Sequence, residues 1–139
     1  MNHSHFGIYA IITNSKNQIL LIKKARGPYC GMLDLPGGSP KDNELLEDCL
    51  LREVKEETGC DVISYQQIQA ISSFFDYQNH KQENCRLLHI GIIYQAEISG
   101  DVKLDGDGED SNGCVWCDIR SLNSQNITPF VIRALEFTN

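Results

Sequence analysis

The chain has 139 residues, enough for one domain that hides roughly two-thirds of its unfolded surface. Hydrophobic residues make up 41%, and 19 acids against 12 bases leave a formal charge of −7; this excludes disordered and membrane compositions and disfavours stable nucleic-acid binding. Apolar stretches such as Gly7 to Thr13 are too short to span a bilayer, and Met-Asn-His-Ser-His lacks a secretory pattern, so a cytoplasmic protein without membrane partners is expected.

In chain order, Phe6 to Thr13 is apolar and β-branched, Asn14 to Asn17 supplies turn chemistry, and Gln18 to Ile22 resumes the apolar run, which predicts a β-hairpin. Arg26 to Gly38 is punctuated by Gly and Pro and reads as loop. A helix is predicted over 44–58, with Asn43 as its cap, Glu44 in its first turn and Gly59 at its end. Ile63 to Phe75 gives one or two strands, Leu87 to Ile98 a long strand and Gly113 to Asp118 a short one. Between the last two, Asp101 to Asn112 reads as a mobile loop. Thr128 and Pro129 open a terminal helix that runs to about Phe137. Strands mixed with two helices predict an α+β or layered α/β fold in a single domain over 1–139.

The six cysteines, at 30, 49, 60, 85, 114 and 117, read as reduced thiols in the absence of a secretory signal. Cys114 and Cys117 have a CxxC spacing, but no second pair or histidine partner accompanies it.

The negative charge is concentrated. Asp42 to Asp61 carries eight acids against Arg52 and Lys55, and Asp101 to Asp118 carries six against Lys103. An acidic run is ordinarily a solvated face. The helix departs from that pattern. At about 100° per residue with Leu46 at zero, Cys49, Leu50 and Val54 form an apolar stripe; Glu53 (about 340°), Glu57 (about 20°) and Glu56 (about 280°) continue it, while Lys55 (about 180°) points away. Like charges facing the protein need cations or protons to coexist, and clustered carboxylate oxygens suit Mg²⁺ or Mn²⁺.

Gly38, five residues, Glu44, seven residues and then Arg52-Glu53-Val54-Lys55-Glu56-Glu57-Thr58-Gly59-Cys60 match the Nudix box, Gx5Ex7REUxEExGU, over 38–60, with Cys60 a lenient fit to the last apolar position. Leu35-Pro36-Gly37 leads into the box as it commonly does in that family, and Cys114 to Leu122 resembles the late segment of MutT-like members. Leu33 stands where members often have Trp. The resemblance implies a Nudix-type α/β/α sandwich with a central mixed β-sheet and an additional hairpin. It also implies an Mg²⁺- or Mn²⁺-dependent pyrophosphohydrolase, cleaving a nucleoside diphosphate linked to another group by attack of activated water. Carried over, Glu53, Glu56 and Glu57 hold metal and the Gly37 carbonyl adds a ligand; Arg52 orients the glutamates, Glu44 partners Arg52, and Gly38 and Gly59 permit the loop and helix-end geometry. Glu53 is the first candidate base, and Glu109 or Asp110 the candidate loop acid. A noncatalytic nucleotide-binding sensor of the same fold is the alternative.

Outside the box, Lys24 and Arg26 are candidates for phosphate or ribose, and Tyr29 and Phe75 for stacking on a base. Lys23, Phe74, Tyr77, His80, Arg86 and His89 are less differentiated, and a homodimer is left open. The expected partner is a small nucleotide diphosphate derivative, its class unresolved among nucleoside triphosphates, nucleotide sugars and ADP-ribose.

Overall fold

The computed structural model describes residues 1–104, 111–124 and 126–136. The strands are β1 (Asn2–Ile11), β2 (Gln18–Lys24), β3 (Leu33–Asp34), β4 (Gly37–Gly38), β5 (Asp61–Gln78), β6 (Asn84–Ser99) and β7 (Ser111–Asp118); the helices are α1 (Leu46–Thr58) and α2 (Pro129–Glu136), with a 3₁₀ segment over Ile119–Ser124. A four-stranded mixed sheet has the order β4-β1-β6-β5, with β1 parallel to β6, and a three-stranded antiparallel sheet has the order β3-β2-β7. Among the described residues no helix is long and apolar enough to cross a membrane.

The predicted first hairpin exists only at its turn. Asn14 Oδ1 accepts from the Lys16 and Gln18 amides, Asn17 takes the left-handed conformation, and Leu20 N donates to Ile12 O at 2.9 Å. Beyond the bridge between Thr13 and Ile19 the strands part into different sheets. The reason lies in Ile8 to Ile12, buried on both faces, which suits a strand flanked by two others rather than one arm of a hairpin.

Period-two alternation divides the core. Tyr9, Ile11, Ile19, Leu21 and Ile93 face α2 and pack with Phe130, Val131 and Ala134. Ile8, Ala10, Ile12, Leu20 and Ile22 face α1 and pack with Cys49, Leu50 and Val54. The layers are therefore α/β/α. Leu33 joins the α2-side core and bridges to Ile127.

Helix α1 starts two residues later than the pattern predicts. Asn43 has a positive φ of 63°, Leu45 is the extended residue before the helix, and no side chain caps it. Glu44 stays outside the helix because its carboxylate accepts from the Lys41 amide and from Arg52. Glu47 and Asp48 supply the acids of the first turn instead. Gly59 ends the helix at φ 78°, its N–H donating to Lys55 O. The later strands are longer than predicted, because β5 and β6 form one extended antiparallel hairpin whose outer portions are largely exposed and lack a strong apolar signal.

The start of the acidic loop is tied down by Lys103 N donating to Thr58 O at 2.7 Å; 105–110 lie outside the described residues. Cys114 packs on the α1 side and Cys117 on the α2 side, as a three-residue offset along a strand requires, so the pair cannot share a metal or close on itself. All six cysteines are unpaired.

Candidate functional site

Strand β4 is two glycines, and both are there for space. A Cβ on Gly37, whose φ is 144°, would collide with Ile8 O and lie 2.8 Å from Tyr9 Cα. A Cβ on Gly38 would lie 2.6 Å from Glu53 Oε1. The bare backbone thus reaches the carboxylate face of α1, where the Gly37 amide donates to Glu57 Oε1 at 2.7 Å.

The three box glutamates have distinct surroundings. Glu57 is buried, and burial pushes its carboxyl up to about 8, with the Gly37 amide and the Lys24 charge opposing. Glu53 is 16% exposed; burial raises its pKa, against hydrogen bonding and charge from Arg52. Glu56 is half exposed and lies 3.4 Å from Arg52 Nη1. Lys55 points to the other side and pairs with Asp61.

Arg52 gathers this face. Its Nε and Nη2 bind Glu44 at 2.7 and 2.8 Å in a two-pronged pair, Nη1 binds Glu53 at 2.9 Å, and Nη2 reaches Ser39 O at 3.3 Å. The Arg52 bonds hold the Glu44 carboxyl down to about 2 and raise the guanidinium in return.

The oxygen donors of Glu53, Glu56 and Glu57 fit a hard divalent cation, and buried Glu57, with no ion pair among the described residues, is the group such a charge would compensate. No three such side chains among the described residues are already gathered around one point. Glu56, turned toward Arg52, is the member that would have to swing inward.

Of the substrate candidates, Lys24 lies within electrostatic reach of Asp34, Glu53 and Glu57. Arg26 stands exposed in the following loop with no ion pair among the described residues. Tyr29 packs between Phe75, at 5.0 Å, and His89, at 5.5 Å, and Phe75 stacks on Tyr77. Phe74 points to the opposite face, beneath Arg86, and His80 sits in the exposed turn between β5 and β6. The candidate loop acids Glu109 and Asp110 lie outside the described residues.

Sequence reasoning misses Tyr9 and Asp34. Asp34 is buried, and its carboxyl is pushed up to about 6 by burial, while Lys24, the Leu35 amide and the Thr128 hydroxyl oppose the shift. Its signal was an acid between two leucines immediately before Pro36-Gly37-Gly38. Tyr9 sits in an apolar strand, and nothing in its spacing separates it from ordinary core.

A two-layered core closed by a glutamate-lined helix against a Gly-Gly strand defines a Nudix-type architecture, and a family model described as NUDIX domain matches residues 3–138. The chain belongs to the Nudix family. It is 30% identical over 112 residues to the ADP-ribose pyrophosphatase of Methanocaldococcus jannaschii, covering 80% of this chain and 60% of that protein. It is 32% identical over 88 residues to the mRNA-decapping protein g5R of African swine fever virus, covering 63% of this chain and 36% of that one. The chain thus spans about three-fifths and about a third of these relatives' lengths. The fold matches a MutT NUDIX hydrolase from Burkholderia pseudomallei with a TM-score of 0.77 at 24% identity, over 99% of each chain.

Proposed function

We propose that this chain is a divalent-metal-dependent pyrophosphohydrolase acting on a nucleoside diphosphate linked to another group, in the range of nucleoside triphosphates, nucleotide sugars and ADP-ribose. The observation that carries the reading is the inward placement of two carboxylates on an otherwise apolar helix face, Glu57 bonded to the Gly37 amide and Glu53 lying against Gly38 and held by Arg52. The pyrophosphatase and decapping relatives support a nucleotide-derived substrate.

In this reading Glu53, Glu56 and Glu57, with the Gly37 carbonyl, hold Mg²⁺ or Mn²⁺. The bound ion supplies charge neutralisation for the phosphate oxygens and acidifies water. Arg52, anchored by Glu44, fixes the Glu53 carboxylate, and Glu53, poised by burial against Arg52, takes the proton of the attacking water. Glu109 and Asp110 are the candidates for an additional acid from the loop. Lys24 presents positive charge to the incoming phosphates, Arg26 is placed to contact their exposed end, and Tyr29 and Phe75 flank the nucleoside. The protein is proposed to be cytoplasmic.

The test is a panel of nucleoside di- and triphosphates and their sugar derivatives, assayed with Mg²⁺ and with chelator. Turnover that chelator abolishes and Glu57→Gln suppresses supports the reading. Absence of turnover across the panel, or undiminished turnover by Glu57→Gln, overturns it.

A further inference from the structure

The sheet edges of this molecule are unequal. β3 and β4 are two residues each, and β7 is eight residues long and ends at the Asp118–Arg120 ion pair. β5 is the exception, eighteen residues with a strand, β6, on one side only. Among the described residues no backbone group outside β6 bonds to the β5 backbone.

An open edge is a template for another strand, and a monomer ordinarily blunts it with charge, proline, bulges or brevity. β5 has no Lys, Arg, Pro or Gly, and its charged residues are Asp61 and Asp76, near its two ends. Its bulges, between Val62 and Ser64 and between Gln67 and Gln69, leave the run 69–75 regular and uncharged. Beside this run lies a groove of about 420 Å³, lined by Gln69 to Ser72, by Leu88 and Ile90 of β6 and by Arg133 of α2. Large apolar side chains meet water along the same edge: Phe74 is 58% exposed, Ile68 and Ile90 are 36% exposed, and Ile132 of α2, which lines a cavity with Ile68, is 50% exposed. Single exposed apolar groups are ordinary, but a row of them on an unpaired strand marks an interface.

Charge and symmetry select a second copy of the chain as the occupant. Each copy carries −7, so two copies meet most easily on neutral surface, and residues 62–75 carry no charge. Antiparallel pairing of β5 with itself is isologous, so each copy satisfies the open edge of the other. Opposed residues must share a face of the pleat, which puts the two-fold axis on a residue of the regular run rather than between two. With the axis at Ser72, Phe74 lies opposite the partner's Ala70, large against small. Asp76 lies opposite the partner's Ile68, at the Gln69 end of the groove that Arg133 lines, so opposite charges approach there.

We propose that β5 is a self-association edge, at which two copies of this chain pair antiparallel over residues 69–75 about a two-fold axis at Ser72, joining their four-stranded sheets into one. This pairing is independent of the reaction proposed above. The Gly37–Glu57 contact lies at the opposite margin of the sheet, beyond β6 and β1 at β4, so each copy keeps its own carboxylate face.

Sedimentation equilibrium across the micromolar range of protein concentration tests it. Wild type is expected to approach twice the chain mass. Ser72→Lys, which sets two like charges face to face at the axis, is expected to weaken association about tenfold or more. Ser15→Lys, the same change of charge in the exposed turn between β1 and β2, is expected to associate as wild type does. Ser72 is exposed and lysine is a common edge residue, so Ser72→Lys is expected to keep the wild-type circular dichroism spectrum. Without any substitution, amide hydrogen exchange is expected to show extra protection in 69–75 at high protein concentration relative to low. A wild type that stays monomeric across the range, which would leave the edge to a foreign strand, overturns the inference. So does a dimer that Ser72→Lys leaves intact, or one whose concentration-dependent protection falls outside β5.

Discussion

The Gly37 amide donates to Glu57 Oε1 across 2.7 Å, joining a two-residue strand to the buried end of α1. That single neutral donor is a small return for a buried carboxylate, and the Glu57 proton is accordingly held up to about 8. The unfolded chain releases this proton near the ordinary value of 4.5, the folded chain near 8, so metal-free stability is full below the lower value and declines as pH rises through the window between them. Asp34, with a folded value of about 6, has the same sign but is spent by that pH; His89 acts oppositely and below its ordinary 6.5. From about pH 6.5 to 8 Glu57 therefore dominates, with a loss of up to about 2 kcal/mol, and neighbouring Glu53, also raised by burial, adds with the same sign. Urea denaturation with chelator is expected to show a falling midpoint across it, a flattened trend in Glu57→Gln, and reversal by Mg²⁺, which favours the deprotonated carboxylate. A flat wild-type profile would contradict the assignment.

Gly37 and Gly38 should respond differently to alanine. At Gly37 the added Cβ meets Ile8 O and Tyr9 Cα, both backbone, at a φ that side chains rarely adopt, so Gly37→Ala is expected to cost about 3 kcal/mol of stability or more. At Gly38 it meets only the end of the Glu53 side chain, which can move away. Gly38→Ala is expected to keep a near-native midpoint while losing turnover on the order of a hundredfold, because the displaced carboxylate is one proposed to act. Thermal melts beside kcat separate the two.

Glu44 touches Arg52 rather than the inward carboxylates, so its effect on activity passes through the guanidinium. Glu44→Gln keeps one acceptor and is expected to reduce kcat modestly. Glu44→Ala releases two of the Arg52 bonds and should reduce kcat on the order of tenfold or more, with little change in KM; because the Glu44 side chain is only 14% exposed and also accepts from the Lys41 amide, a modest fall in melting temperature accompanies it. A KM effect as large as the kcat effect would place Glu44 in substrate binding instead.

The helix and its inward acids are legible in sequence because both follow one 3.6-residue period, so Glu53 and Glu57 reveal themselves by sharing the stripe of Leu50 and Val54. Gly59 is legible because a helix end needs the left-handed residue that glycine supplies most easily. Asn43 misleads because its capping propensity is local, whereas the competing bond between Glu44 and Arg52 spans eight residues. The sheet pairing of β1 with β6 joins residues more than eighty positions apart, which strand propensity does not encode. Tyr9 and His89 meet only through that pairing, so their hydrogen bond has no sequence spacing to betray it.

Thr128 links the last helix to the strand before β4. Its hydroxyl donates to Asp34 Oδ1 at 3.0 Å and accepts from the Val131 amide at 3.2 Å, so one oxygen caps α2 and also satisfies a buried carboxyl. Thr128→Ser preserves both bonds and is expected to lose little beyond a buried methyl group. Thr128→Val keeps the shape but strands the Val131 amide and Asp34 together, and should cost about 2 kcal/mol in urea denaturation. The loss should be partly recovered by adding Asp34→Asn, because a neutral amide tolerates burial without the Thr128 donor better than an ionised carboxylate does. Strictly additive losses in that double mutant, measured at pH 8 where the folded Asp34 is ionised, would show that the hydroxyl serves the helix cap alone.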